Sequence, residues 1–404
     1  MTNHRTAIRK LALSAILLAI PFNAALAQDA TAIADRLKAA ATSQGLDISW
    51  TGISGDASSM VLEGVSVKAA GEAESLPIGN VTLSGVTEEN GGYTIETLTT
   101  APFSKSEDGV AVDISSFVVN GLKIPAEGAA DPASSMTMYE SADLASMTVR
   151  IADKTAFALQ GLGFEMTPPE GGKPLEFTGA AEKFSVDLTL VEDPQYKTII
   201  DQLGYQNLNG FFEMAGSWQP TDGRWAVSQY DVSIENAGTF GITMDFGGFT
   251  PDVVNSIREI STKMAEASDG ADNSGSEMAM LGLMQQITFH SITARFDDDT
   301  LTSRAVDVVA TQQRQKPADI INLAKAAIPF ALMSLNSPEL TAEVSAAVNT
   351  YLDDPQSIEV AAVPPAPVPF ALIGATAMSS PDDAAQTTNA LWKILGVKVT
   401  ANEK

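Results

Sequence analysis

From Leu46 to about residue 250 the chain is written mostly in short runs of alternating apolar and polar residues, and a chain so patterned has to form sheet. Leu46, Ile48 and Trp50 fall on one side and Asp47 and Ser49 on the other, the two-residue period of a strand with one buried face. Glycine, proline and acidic turns separate the runs. Asn90-Gly91-Gly92 lies between Val81–Val86 and Tyr93–Leu98, a hairpin signal because Asn and Gly accept the positive φ of tight strand-joining turns. Asp222-Gly223 separates Phe212–Trp218 from Trp225–Ile234, which makes Trp218 and Trp225 expected cross-strand partners.

Inside the runs an apolar residue, a variable one, a glycine and a second apolar one recur. The pattern occurs as Leu62-Glu63-Gly64-Val65, Leu83-Ser84-Gly85-Val86, Val119-Asn120-Gly121-Leu122, Leu159-Gln160-Gly161-Leu162 and Leu208-Asn209-Gly210-Phe211. Glycine within a strand marks a bulge or bend. Bends at similar places in successive strands curve a long sheet.

Helical periods are confined to a few places. Residues 30–44 carry Ile33, Leu37 and Ala40 on one face, with Gly45 placed as a left-handed C-cap. Asp193-Pro194 and Thr250-Pro251 read as helix starts. Residues 268–276 read as an exposed loop, and Ile287–Phe296 as a last strand pair. After Thr300 the composition turns alanine-rich and helical, over 303–313, 317–335 and 338–351. A strand at Ser357–Val363, a helix at Phe370–Ala377 and a closing strand through Val397 and Val399 follow. The expected fold is therefore α+β, mainly β: a long curved antiparallel sheet in residues 28–300, then an alanine-rich helical segment with closing strands in 301–404.

Residues 1–27 have the three parts of a secretory signal. Arg5, Arg9 and Lys10 are the basic region, Leu11–Ile20 the short apolar core, and Ala25-Leu26-Ala27 the small-x-small cleavage site. The expected mature protein starts at Gln28, is periplasmic and has no spanning helix, since no later segment reaches 18 residues free of charge or proline. No cysteine follows for lipid attachment. The formal charge of −26 becomes more negative still once the basic signal is removed, and such a field repels phosphate backbones. A nucleic-acid partner is not expected.

The chemistry available is narrow. With 45% hydrophobic and 18% charged residues the chain can build a core. Zero cysteines remove thiolate metal sites, iron–sulfur clusters and cysteine nucleophiles. His290 is the sole histidine beyond the signal and sits in an alternating strand, and no Gly-x-Ser-x-Gly elbow occurs. Asp297-Asp298-Asp299 and Asp353-Asp354 are adjacent acids, which on a strand point to opposite faces. Asp298 or Asp299 is expected to N-cap the next helix. The acids Asp269, Asp272 and Glu277 do not match calcium-loop spacing. No catalytic, cofactor or metal residue is assigned. A hydrolase using two carboxylates remains the alternative, because two acids need only meet in space.

Two apolar stretches stand out. Asp319–Leu335 is apolar nearly all round, with Ile328, Phe330 and Met333 toward its end, and Met278, Met280, Leu283 and Met284 form a methionine-rich run. Buried core is the expected fate of both, and these seven residues are also the candidate surface for an apolar ligand or partner.

Exported alternating strands with recurring apolar-x-Gly-apolar turns resemble the AsmA-like and YdgA-like envelope proteins of Gram-negative bacteria, over residues 46–299. The resemblance implies curved sheets with an apolar concave side and a role in lipid handling or outer-membrane upkeep. It transfers no site residue. The alanine-rich C-terminal segment and the absence of a retained anchor depart from that pattern, and the general layout is similar to periplasmic proteins of alphaproteobacteria. The expected function is non-enzymatic: sheltering a lipid or other apolar ligand, or supporting the envelope through protein partners. A scaffold whose C-terminal helices plug the sheet is the structural alternative.

Overall fold

A computed structural model describes residues 30–43, 45–56, 58–69, 74–126, 137–169, 171–266, 274–333, 337–379 and 383–403. The candidate signal, residues 1–27, lies outside them. The fold is mainly β, 47% strand against 34% helix. It is open antiparallel sheet of 18 strands, with helices gathered toward the C-terminus. Two compact units divide the chain after Asp187, with Gly172–Pro174 joining the second.

Unit 1 is a meander of long bent strands. β1 (Leu46–Ser49) and β2 (Gly52–Asp56) both pair with β3 (Ser59–Ala69), which pairs with β4 (Leu76–Glu89) and through it with β5 (Gly92–Thr100). Asn90 and Gly91 take positive φ of 52° and 78° between Glu89 and Gly92, the expected two-residue hairpin. β5 pairs with β8 (Phe117–Ile124), and β6 (Phe103–Glu107) with β7 (Val110–Ile114), in one unbroken register. β7 and β8 then lie together along β9 (Ser141–Ile151), followed by β10 (Lys154–Thr167) and β11 (Leu175–Asp187). Helix α1 (Ala30–Ser43) buries Ile33, Ala34, Leu37 and Ala41 against this sheet, whose inner residues Met60, Leu83, Ile95, Val112 and Leu122 are fully buried. Burying one such side chain contributes about 1.5–3 kcal/mol.

The glycine motif makes that inner face. In a regular strand residues three apart point oppositely, yet Leu83 and Val86 are both buried, as are Val119 and Leu122. Gly85 and Gly121 have φ of 64° and 62°, and this left-handed step resets the alternation. Glu96 on β5 lies against Gly85, and Glu140 before β9 lies against Gly121. Gly64 and Gly161 share the conformation, whereas Gly210 does not.

Unit 2 begins with a short 3₁₀ turn, Leu188–Leu190, and α2 (Pro194–Leu203). Asp193 caps α2 by accepting from the Gln195 and Tyr196 amides, and Gly204 closes it at φ 76°, as the sequence implies. Four strands follow as a meander: β12 (Asn207–Gln219), β13 (Arg224–Ile234), β14 (Gly238–Gly247) and β15 (Thr288–Asp298). Between β14 and β15 stand α3 (Pro251–Glu266) and α4 (Ser274–Met284). After β15 come α5 (Leu301–Gln313), α6 (Pro317–Ala331) and α7 (Pro338–Asp353). β16 (Ser357–Ala362) and β17 (Val368–Pro369) then add to β15. α8 (Phe370–Met378) and α9 (Ala384–Leu395) precede the last strand, β18 (Val397–Ala401), which pairs with β16.

Several expectations need adjusting. The composition shift near residue 300 falls inside unit 2, where β15 hands over to α5; the helices after it pack on strands before and after it. Ile287–Phe296 forms one strand, because its partners come from β14 and β16. Ser274–Ser276 open α4, while 267–273 lie outside the described residues. Thr300, not Asp298 or Asp299, occupies the N-cap of α5; Asp298 nevertheless accepts from the Thr302 amide at 3.0 Å.

Candidate functional site

The registers of unit 2 sort its strand residues onto two chemically different faces. Trp218 pairs with Trp225, as expected, and Trp225 with Phe246; Val232 pairs with Phe240, and Phe240 with Phe296. Met244 pairs with Ile292, Ala294 with Val360, and Val360 with Val399. Bulges at Ala215/Gly216, Val227/Asp231 and Asp245/Phe246 keep apolar residues in line across these strands. One face therefore carries Phe212, Met214, Tyr230, Phe240, Ile242, Met244, Ile292, Ile358 and Val360. We call it the floor.

The opposite face is mainly polar, with Phe211, paired with Ser233 and 41% exposed, as an apolar exception. Ser233 and Thr239 share a hydroxyl bond of 2.8 Å, and Gln229 donates to Asp231 at 2.8 Å. Arg295 binds Asp297 at 2.7 Å and Glu359 at 3.4 Å; these bonds raise its pKa above the ordinary arginine value. Arg224 pairs with Asp245 in the same way. His290 lies on this face, 3.2 Å from the Thr288 hydroxyl. These acids are held by arginine or by neutral donors, and ion pairs so exposed contribute little to stability.

Helices stand on the floor side at both ends. At one end Trp225 stacks on Phe246 at 5.8 Å, and Phe249, Phe289 and Phe370 surround Phe246 at 5.7 to 6.3 Å. Phe249 leads into α3 and Phe370 begins α8, and the Trp218 indole donates to the Phe249 carbonyl at 2.8 Å. At the other end the Tyr351 hydroxyl on α7 donates to Asp298 at 2.7 Å, with the Thr302 hydroxyl on α5 also bonded to both. Burial, reinforced by the Asp298 carboxylate, pushes the Tyr351 pKa up to about 12. α7 also lies along β18, where Glu343 accepts from the Val399 amide at 3.2 Å and so occupies an edge donor.

Away from these supports the floor is open. Tyr230, Phe240, Ile292 and Val360 are 36% to 45% exposed. Between Asp298 and the aromatic cluster the floor positions carry no Asp, Glu, Lys, Arg or His. An open face of this kind binds hydrocarbon and gives a charged headgroup no partner. A separate cleft of about 560 Å³, lined by Leu340, Glu343, Trp392, Lys393 and Lys398 among others, is mixed in character.

The seven residues singled out in the sequence divide between two helix groups. Met278 is 74% exposed on α4, with Met280, Leu283 and Met284 half-buried; α4 packs on α3 and α8. Phe330 is 71% exposed on α6 and Met333 64% exposed just beyond it, with Ile328 half-buried; α6 packs on α5 and α7. The expectation of buried core is overturned for both stretches. Ile320 is the buried residue of α6, and α4 has none. Short helices on a sheet end have too few neighbours to enclose an all-apolar surface. The floor residues Tyr230, Phe240, Ile292 and Val360 were not singled out, because alternation assigns a strand an apolar face without telling whether anything covers it.

Among the described residues no helix is long and apolar enough to cross a membrane, and no cluster of three or more acidic or histidine side chains is placed to hold a metal ion. A family model described as "Uncharacterized protein" matches residues 231–402, which run from within β13 through β18 and contain most of the floor and every helix from α3 onward. No curated protein matches the chain.

Proposed function

We propose that this protein is a non-enzymatic, exported envelope protein that shelters the hydrocarbon part of a lipid or a similar apolar ligand on the floor of unit 2. The observation that carries the reading is that floor. It is an apolar sheet face braced by helices at two ends, with Tyr230, Phe240, Ile292 and Val360 open between them and no Asp, Glu, Lys, Arg or His there to hold a headgroup. Each methylene taken from water onto such a surface contributes about 0.8 kcal/mol, so an acyl chain supplies enough contact without a polar anchor. The signal-like residues 1–27, the strongly negative charge and the resemblance to AsmA-like and YdgA-like proteins support the same reading.

Native mass spectrometry of protein purified without detergent from a Gram-negative envelope is the test. The expected result is an added mass that organic solvent extracts as lipid, and its loss in Ile292→Asn and Val360→Asn variants that keep the parent circular dichroism spectrum. A parent protein that carries no added mass and binds no fluorescent fatty acid sinks the reading.

A further inference from the structure

The two helices that least belong in water are the two that the fold leaves in it. α8 (Phe370–Met378) has no ionisable residue, and α4 (Ser274–Met284) has Glu277 alone. A helix so apolar is ordinarily enclosed, yet neither has a buried residue. They touch each other, α4 against α3 and α8 against α9. α4 exposes Met278 and Leu281 at 74% and 52%, α8 exposes Leu372 and Met378 at 48% and 68%, and Met264 of α3 is exposed as well. Gly275, Gly282 and Gly374 open onto space with no atom within 4 Å of where a side chain would begin. The two touching helices therefore make a patch of flexible apolar side chains and open glycine positions.

Charge decides between the candidate occupants. α4 and α8 offer no cation; on α3 Lys263 faces Glu259 at 4.0 Å and Arg258 donates to Asn255 at 3.5 Å, and Lys393 of α9 lines the separate cleft. An anionic surface finds no cation on α4 or α8 themselves and meets a chain of formal charge −26. A second copy of the chain brings the same charge against itself. A zwitterionic bilayer interface has no net charge to repel, and methionine and leucine enter it by apolar burial alone. The patch also leads to the floor: the ring of Phe370, first residue of α8, is 5.7 Å from Phe246, and its amide donates to the Ile287 carbonyl at 3.0 Å.

We propose that α4 and α8 dock the protein on an electrically neutral lipid surface, placing the aromatic end of the floor where a lipid chain enters or leaves. The docking role rests on the floor reading for its purpose, but its test is separate. Flotation of the exported protein with vesicles of phosphatidylcholine alone, or with one third phosphatidylglycerol, measures docking; fluorescence of cis-parinaric acid in vesicle-free buffer measures the floor. The expected result is flotation with phosphatidylcholine and a smaller bound fraction with phosphatidylglycerol at low salt. The double variant Met278→Asp/Met378→Asp is expected to lose at least tenfold in partitioning and to keep parinaric acid binding. Ile292→Asn is expected to do the reverse.

Failure to float with phosphatidylcholine, flotation that rises with phosphatidylglycerol, or a double variant that floats like the parent overturns the proposal. So does a parent dimer in sedimentation that the double variant converts to monomer, since the patch is then a contact between copies. A parent that floats but does not bind parinaric acid removes the floor reading and, with it, the transfer role of the docked state.

Discussion

At the scale of single residues, the glycine motif shows how one atom organises a sheet. Gly121 needs a left-handed backbone, and a Cβ built there meets the Glu140 side chain at 2.5 Å. Gly109 has a similar φ of 79° at the β6–β7 turn, but a Cβ there meets nothing within 4 Å. The left-handed step costs a non-glycine residue about 1–2 kcal/mol. Gly109→Ala is therefore expected to lose about that much stability in urea unfolding, and Gly121→Ala clearly more, because Glu140 must also move. Equal losses in the two variants mean that the acid makes no structural contribution. The recurrence was legible as a bend signal at all five glycines, and four adopt it. Gly210 does not, and the acids that cover Gly85, Gly121 and Gly161 were not legible, since Glu96 and Glu182 sit on neighbouring strands and Glu140 just before one, all placed by a register that the whole sheet sets.

At the scale of elements, the floor depends on how α5 and α7 are fastened beside it. Asp298 is the last residue of β15, and its carboxylate receives the Thr302 amide and hydroxyl from α5 and the Tyr351 hydroxyl from α7. A hydrogen bond to a charged group contributes about 1.5–3 kcal/mol, and Tyr351→Phe is expected to lose the lower part of that range, because Thr302 still satisfies Asp298. The sign of the pH dependence follows from the tyrosine. Its folded pKa of about 12 stands above the unfolded value of 10.0, so its contribution is complete below pH 10 and disappears as pH rises through about 12. Thermal melts between pH 9 and pH 12 are expected to show a steeper fall for the parent than for Tyr351→Phe. Parallel curves remove Tyr351 as the alkaline sensor.

Most helix limits beyond residue 300 could be read from proline, serine and the helical period, because caps are local. Which helix faces stay uncovered could not. Leu323, Ala326, Ala327 and Phe330 make an apolar stripe on α6 that reads as core, yet all four are exposed. A stripe at helical spacing reports that a surface exists; only the number of neighbouring elements says whether it is buried.

At the scale of the whole molecule, composition and topology divide the chain differently. Alanine enrichment begins after Thr300, but the strands before it depend on segments after it. β15 pairs along one edge with β14 and along the other with β16 and β17, and β18 completes that side. Removing residues 301–404 strips the outer edge of β15, deletes α5 to α9 and breaks the Asp298–Tyr351 anchor. It also bares Phe289, which is buried in the intact protein, and an unpaired edge beside bare apolar surface leads to aggregation. Unit 1 has its own core, closed by α1 over Met60, Leu83, Ile95 and Leu122. Deleting 301–404 is therefore expected to abolish the calorimetric transition of unit 2 and leave one cooperative transition. Limited proteolysis of that truncated chain should leave a protected fragment ending near Asp187. A fragment protected through residue 300 would instead make the composition shift the true boundary, and the floor strands β12 to β15 would then be stable without the helices that brace them.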